Sequence, residues 1–254
     1  MHTILTIVVA AGSGTRMGSD TPKQFLPLDG EPIVMHTLRR MAEGVAHYLT
    51  SRPDFSTPQT QPVNKIGRSV EQTVDNSVHK QTLVLPEAYI ARWQELCCEH
   101  RFELPHQVVA GGPTRFHSVR NGLATHPDAD IVLVHDGVRP FADNDTIARV
   151  IAAAEQHGAA IPAISVVDSL RKLTPGGSEA VERAAYRAVQ TPQAFRGTVL
   201  RRAYEAPFDD RFTDDASVVE LTGTGSVVLT EGNASNIKIT TPIDLAVAEI
   251  VLKG

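Results

Sequence analysis

Short runs of aliphatic and β-branched residues alternate along the chain with longer stretches whose apolar positions recur every three or four residues. The short runs predict strands at Ile4–Ala11, Gln81–Pro86, Gln107–Ala110, Ile131–His135, Ala159–Ile164 and Ser226–Thr230. The longer stretches predict helices at Pro32–His47, Glu87–His100, Thr114–Thr125, Asp143–His157 and Pro242–Leu252. Runs that are apolar at every position bury both of their faces, so this order of elements predicts an α/β fold. Its expected core is a Rossmann-like, mostly parallel sheet with helices on both faces. Ligands of such sheets bind beyond the carboxyl ends of the strands, and the loops that follow each strand are the places to look for chemistry.

Two stretches break the alternation within what otherwise reads as a single domain over residues 1–254. Residues 50–80 are rich in Pro, Gln, Ser, Thr and Asn, with apolar residues too sparse to face a core, and are expected to form a flexible insertion. Residues 166–194 carry charged, strand-like fragments around Pro175-Gly176-Gly177 and predict a hairpin arm that projects from the sheet. Composition narrows the function classes. With 24 Lys and Arg against 29 Asp and Glu the net charge is −5, which argues against a positive field for nucleic acid or an anionic membrane. The longest apolar run, Ile4–Ala11, is far too short to cross a bilayer, and Met1-His2-Thr3 lacks the basic start of a signal peptide. Cys97 and Cys98 are adjacent and poorly placed to bridge each other, so a reducing, cytoplasmic setting is expected. The chain ends at Gly254 directly after its last helix, and no fused second catalytic domain is expected.

The first strand runs into Ala10-Ala11-Gly12-Ser13-Gly14-Thr15-Arg16-Met17-Gly18, followed by Pro22-Lys23-Gln24. Glycines after a first strand let backbone N–H groups turn toward phosphate oxygens. The spacing is not that of a Walker loop, and Met17 occupies the position where a dinucleotide fingerprint requires glycine. A dinucleotide-dependent reductase is disfavoured on that ground. What remains is a glycine loop with two cations, Arg16 and Lys23, suited to a triphosphate; the alternative is a flexible turn bearing two solvated side chains.

Later segments carry two readings each. In Gly111-Gly112-Pro113-Thr114-Arg115-Phe116-His117-Ser118-Val119 the glycines permit close approach to a flat base and Ser118 can read its edge, or Thr114 caps a helix and Ser118 faces the core. In His135-Asp136-Gly137-Val138-Arg139-Pro140 an aspartate ends a buried strand. Asp136 is there a natural ligand for Mg²⁺ shared with phosphate oxygens, with Arg139 addressing a further phosphate, or it is a turn residue. His135 is read as structural, because a phosphate nucleophile needs no base. Thr213 is a candidate cap for a helix whose first turn holds Asp214 and Asp215, and Lys238 lies in a short segment before the last helix.

The loop Ala10-Ala11-Gly12-x-Gly14-x-Arg16-Met17 with Pro22-Lys23-Gln24 resembles the signature of the sugar-phosphate nucleotidyltransferases. The ordered set of later motifs is similar to that of the 2-C-methyl-D-erythritol 4-phosphate cytidylyltransferases in particular. The resemblance runs from Ile4 to Glu249, apart from residues 50–80. It implies transfer of a cytidylyl group from CTP to 2-C-methyl-D-erythritol 4-phosphate, with Mg²⁺ as cofactor. A related acceptor such as ribitol 5-phosphate is the nearest alternative, and a non-catalytic nucleotide-binding scaffold a more distant one. Arg16, Lys23 and Lys238 would then be catalytic. Ala10, Ala11, Gly12, Ser13, Gly14, Met17, Gly112, Arg115, Ser118, Val119, Asp136 and Gly137 would hold the nucleotide, with Asp136 also on the metal. Arg139, Ser169, Arg183, Thr191, Thr213 and Asp215 would bind the sugar phosphate. The resemblance also implies a homodimer in which Ser169, Arg183 and Thr191 of the arm reach a partner's pocket. Ser169 stands where that family commonly has Thr, and Pro113 where it often has an acidic residue.

Overall fold

The computed structural model describes residues 3–12, 21–51 and 79–253. Ser13, Gly14, Arg16 and Met17, and nearly all of the expected insertion, lie outside the described residues.

Strand β1 (Ile4–Val9) is followed by the short β2 (Pro27–Leu28) and β3 (Glu31–Pro32) and by helix α1 (Ile33–Ser51). Next come β4 (His79–Leu85), α2 (Ile90–Glu99), β5 (Gln107–Ala110), α3 (Arg115–Leu123), β6 (Ile131–Asp136), α4 (Asn144–His157) and β7 (Ala159–Ser165). The chain continues through β8 (Arg171–Thr174), β9 (Gly177–Ala180), β10 (Arg187–Val189) and β11 (Gln193–Arg196). It closes with α5 (Gly197–Ala203), α6 (Asp215–Leu221), β12 (Val228–Glu231) and α7 (Pro242–Lys253). The main sheet runs β5-β4-β1-β6-β11-β7, with β12 and β10 also pairing β7. β1 is parallel to β4 and β6, β4 to β5, and β7 to β12; β11 runs antiparallel between β6 and β7.

The alternation of side chains along each central strand divides the core in two. Ile4, Val8, Leu83, Leu85, Ile131 and Leu133 belong to the cluster that takes in residues of α1, α2 and α4. Leu5, Ile7, Val84, Val132 and Val134 belong to the other, with Phe116, Val119, Leu200 and Val219 from α3, α5 and α6. α1 lies so close to α4 that a Cβ on Gly44 would sit 2.2 Å from Ile147 Cδ1. A third, small cluster of Leu28, Ile33, Val138, Ile239 and Ala248 ties the segment after β12 to the start of α1.

Each predicted strand and helix has a counterpart, with ends shifted by a few residues where both lie in described chain. The differences are local and have physical causes. Gln193–Arg196, which is not among the predicted strands, is a buried strand whose partners come from distant sequence. The hairpin β8–β9 is fully exposed, as expected of an arm, but residues 187–194 return to the sheet. The N-cap of α6 is Asp214, not Thr213: the Asp214 carboxylate accepts from the Ser217 N–H while the Ser217 hydroxyl accepts from the Asp214 N–H.

Candidate active site

Loops from the carboxyl ends of β1, β5 and β6 meet the segment before α7 around a cleft of about 380 Å³. Ala10, Ala11, Gly12, Lys23, Gly112, Arg115, Ser118, Asp136 and Lys238 all line it, together with Gln24 and Thr114. Lys23 is half-buried, and its neighbour Gln24 is 1% exposed, with its side-chain amide donating to the Ala10 carbonyl at 2.7 Å. That buried bond fixes the short turn that carries Lys23 against the end of β1.

Asp136 is the electrostatic centre of the cleft. Its Oδ2 lies 2.9 Å from Lys238 Nζ and 3.3 Å from Arg139 Nε, and its Oδ1 lies 4.0 Å from Arg115 Nε. Burial pushes this carboxyl group's pKa up, but the surrounding Arg115, Lys238 and Arg139 outweigh it and hold the acid well below the ordinary carboxylate range. Asp136 therefore stays ionised at any physiological pH. Arg115 also pairs with Asp215, Nη2 to Oδ2 at 2.6 Å, and Asp215 is fully buried. Arg139 donates a second bond, Nη1 to the Asn236 carbonyl at 2.7 Å, which draws the Lys238 segment toward β6.

The ribbon Gln190–Gln193 sits beneath this arrangement and touches three of its parts. The Gln190 side chain bonds the N–H and carbonyl of Asn233, and Asn236 Nδ2 donates to the Thr191 carbonyl. Gln193 Oε1 accepts from the N–H groups of Asp215 and Ala216 at the start of α6, while its Nε2 donates to Asp214. The Thr191 hydroxyl accepts from the Asp136 N–H and faces His135 Nδ1 at 2.9 Å. His135 Nε2 lies 2.9 Å from the Arg139 carbonyl, which can only accept, so in the neutral ring Nδ1 is the bare nitrogen and the Thr191 hydroxyl donates to it. His135 then carries its proton on Nε2 and donates to the Arg139 carbonyl. Both ring nitrogens are committed, and burial pushes His135 down to about 4.

His135 should make stability depend on pH. The unfolded chain takes up a proton on this ring as pH falls below about 6.5, whereas the native state resists until about 4. Native stability is then expected to fall by about 1 kcal/mol per pH unit across that window and to be flat in this contribution above it. Urea titrations at pH 7, 6 and 5 would read it, and His135→Gln, which cannot titrate, should lose that share of the slope.

Several expected binding residues have positions of a different kind. Val119 is fully buried among Leu5, Ile7 and Val84, because residues 116, 119 and 123 form the core-facing stripe of α3. The Ser118 hydroxyl donates to the Thr114 carbonyl and accepts from the Gly112 N–H, so it braces the loop that it was expected to project from. Thr114 caps α3. A Cβ on Gly112 would sit 2.4 Å from His117 Cβ, and one on Gly137 2.8 Å from Ala10 Cβ, so both positions need glycine for close approach. Thr191 is buried under Asp136 of its own chain, whereas Ser169 and Arg183 are exposed on the arm, where Arg183 donates to the Val167 carbonyl. Thr213 is exposed beside Ser217. Gln24, Gln190 and Gln193 were not singled out from the sequence for these tasks; their only signal was adjacency to motif residues.

Among the described residues Asp136 is the carboxylate that lines the cleft, and both oxygens of Asp215 are taken by Arg115 and Tyr204. Among the described residues no three His, Cys, Asp or Glu side chains converge to cage a metal. This donor set fits a hard divalent cation held by one carboxylate and completed by phosphate oxygens and water. Among the described residues no helix is long and apolar enough to cross a membrane.

A family model described as 2-C-methyl-D-erythritol 4-phosphate cytidylyltransferase matches residues 4–49 and 54–254. The protein of that name from Bacteroides thetaiotaomicron is 46% identical over 246 residues, covering 97% of this chain and 98% of its own. The one from Bacteroides fragilis is 45% identical over the same shares. Among solved structures, the 2-C-methyl-D-erythritol 4-phosphate cytidylyltransferase of Thermus thermophilus superposes with a TM-score of 0.68 at 28% identity over all of both chains. The 4-diphosphocytidyl-2C-methyl-D-erythritol synthase of Anaerococcus prevotii has the same fold, with a TM-score of 0.74 at 24% identity over 100% of this chain and 97% of its own.

Proposed function

The chain belongs to the 2-C-methyl-D-erythritol 4-phosphate cytidylyltransferase family, and from that premise we propose how its cleft joins CTP to 2-C-methyl-D-erythritol 4-phosphate, giving 4-diphosphocytidyl-2-C-methyl-D-erythritol and pyrophosphate. The observation that carries the reading is the convergence of Lys23, Lys238, Arg115 and Asp136 on one cleft at the sheet's carboxyl edge. A phosphate oxygen of the acceptor attacks the α-phosphorus of CTP in line, and the bond to the bridging oxygen of pyrophosphate breaks. Both reactants are anions, and their repulsion at contact distance amounts to several kcal/mol unless fixed cations offset it. Lys23 and Lys238, with Arg16, supply that charge at the α-phosphate as negative charge builds on the leaving group. Arg115 and the Gly112 loop hold the nucleotide, and Arg139 addresses the acceptor phosphate.

No side chain has to remove a proton, because the acceptor phosphate is already ionised at neutral pH. The full commitment of His135 to Thr191 and Arg139 supports this. Mg²⁺ would be held by Asp136 and would supply charge neutralisation on the triphosphate. Free Cys97 and Cys98 support a reducing, cytoplasmic setting.

The exposed hairpin at residues 171–180 supports a role in a homodimer, with Ser169 and Arg183 serving the acceptor pocket of a second copy. On this reading Arg183→Ala raises the KM for the sugar phosphate about tenfold, the worth of a charged hydrogen bond, and leaves CTP affinity intact. Unchanged kinetics for that variant would remove the arm from the acceptor site. The acceptor itself is tested by pyrophosphate release from CTP with 2-C-methyl-D-erythritol 4-phosphate and with ribitol 5-phosphate. The first is expected to have the higher kcat/KM, and the reverse order would overturn the assignment.

A further inference from the structure

Behind Arg115 lies a buried hydroxyl that the reaction as described does not use. The Tyr204 phenol, at the C-terminal end of α5, donates to Asp215 Oδ1 at 2.6 Å. Asp215 Oδ2 accepts from Arg115 Nη2 at the same distance, and Arg115 Nε faces Asp136 across 4.0 Å. Tyr204 is 4% exposed and Asp215 fully buried, whereas the Arg115 side chain is 29% exposed at the cleft wall. The three groups thus form a line from the core to the cleft. On the reading of the cleft as a CTP site, we infer that Tyr204 is a positioning residue, which fixes the Arg115 guanidinium for the nucleotide through Asp215.

Asp215 is held at its backbone and at both carboxylate oxygens. Its backbone N–H is fixed by Gln193, so the carboxylate can still turn about its own side-chain torsions. Among the described residues Tyr204 is the hydroxyl donor on Oδ1, and Arg115 the donor on Oδ2. With one donor on each oxygen the carboxylate plane is set, and Arg115 is directed with Nε toward Asp136. Without the phenol, the buried Oδ1 lacks its partner and the carboxylate rotates to share Arg115 between both oxygens, which draws the guanidinium back from the cleft. Burial and the nearby Asp215 both push the Tyr204 phenol well above its ordinary pKa, so it remains a donor throughout the working range.

Tyr204→Phe separates this role from packing. The ring stacks on Phe116 with centroids 4.6 Å apart and planes at 14°, a contact that phenylalanine keeps. The variant is expected to fold, to bind CTP about tenfold more weakly by calorimetry, and to show a matching rise in the KM for CTP. The KM for the sugar phosphate and kcat at saturating CTP should move less than twofold. A merely structural tyrosine would instead lower thermal stability and leave the Kd for CTP unchanged in the folded fraction, which would overturn the inference. Asp215→Asn is the second variant: it keeps the side chain's shape, loses the charge that holds Arg115, and should weaken CTP binding at least as much. Normal CTP affinity in both variants would likewise sink the proposal. Wild-type protein that binds CTP but releases no pyrophosphate with any acceptor would overturn the functional reading, and the two Kd comparisons would still decide the place of Tyr204.

Discussion

Lys23→Ala is expected to lower kcat by about two orders of magnitude or more with both substrates saturating, because the lost charge acts where negative charge grows during the reaction. The turn that carries Lys23 is anchored by the buried Gln24 amide, so its backbone is already set when the reactants meet. Preorganisation of this kind is what separates a catalytic cation from a solvated one. The substitution removes a half-buried side chain at the rim of the cleft, and the variant should keep its fold by circular dichroism. Lys23→Arg should recover only part of the rate, since a broad planar fork cannot reproduce a compact charge at one point. Near-normal turnover in folded Lys23→Ala protein would remove this residue from the mechanism. Arg16, outside the described residues, is expected to show a comparable loss on replacement with alanine.

Asp136→Asn should have an effect of similar size by a different route. The carboxylate is surrounded by Lys238, Arg139 and Arg115, so its removal makes the cleft more positive. If Asp136 served only as a counter-charge, the variant would bind the triphosphate more tightly and turn it over well. If it holds the divalent cation, CTP binding without metal is preserved or improved, while kcat falls by about a hundredfold or more and the dependence on Mg²⁺ concentration shifts upward. The second pattern is expected. Measuring the Kd for CTP with and without Mg²⁺, beside kcat across a Mg²⁺ series, distinguishes the two. Loss of stability alone, with metal dependence unchanged, would count against the assignment. Some destabilisation is anticipated in either case, since Arg139 would keep its half-buried charge with one partner fewer.

Much of this was legible in the sequence, and the reason is periodicity. Strands such as Ile131–Asp136 are apolar on both faces and helices such as α4 carry a regular apolar stripe, so the central parallel sheet followed from pattern alone. Residues at or just beyond the carboxyl ends of those strands, Asp136 and Gly112 among them, fell in the cleft because a parallel sheet gathers its carboxyl ends on one edge. What could not be read was the wiring between distant segments. Strand β11 is four residues long and follows a proline; its burial is set by β6 and β7, which lie far away in sequence. The part that Ser118 plays likewise depends on where Gly112 and Thr114 fold back to, which spacing does not reveal. Val119 shows the opposite error. Motif adjacency suggested a ligand contact, and the turn-by-turn period of α3 placed it in the core.

The ribbon of residues 190–193 has a consequence for altering this protein. It fastens the backbone of Asp136, the start of α6 with Asp215, and the Asn233–Asn236 turn that leads to Lys238. The exposed hairpin hangs from the same stretch of chain and pairs with itself, β8 against β9. On the proposed role of the hairpin in a second copy's acceptor pocket, loop exchange or library selection there is expected to change acceptor preference while the nucleotide end of the cleft keeps its geometry, provided the graft stops short of Gln190. A chimera whose junction crosses that residue would unfasten three walls at once.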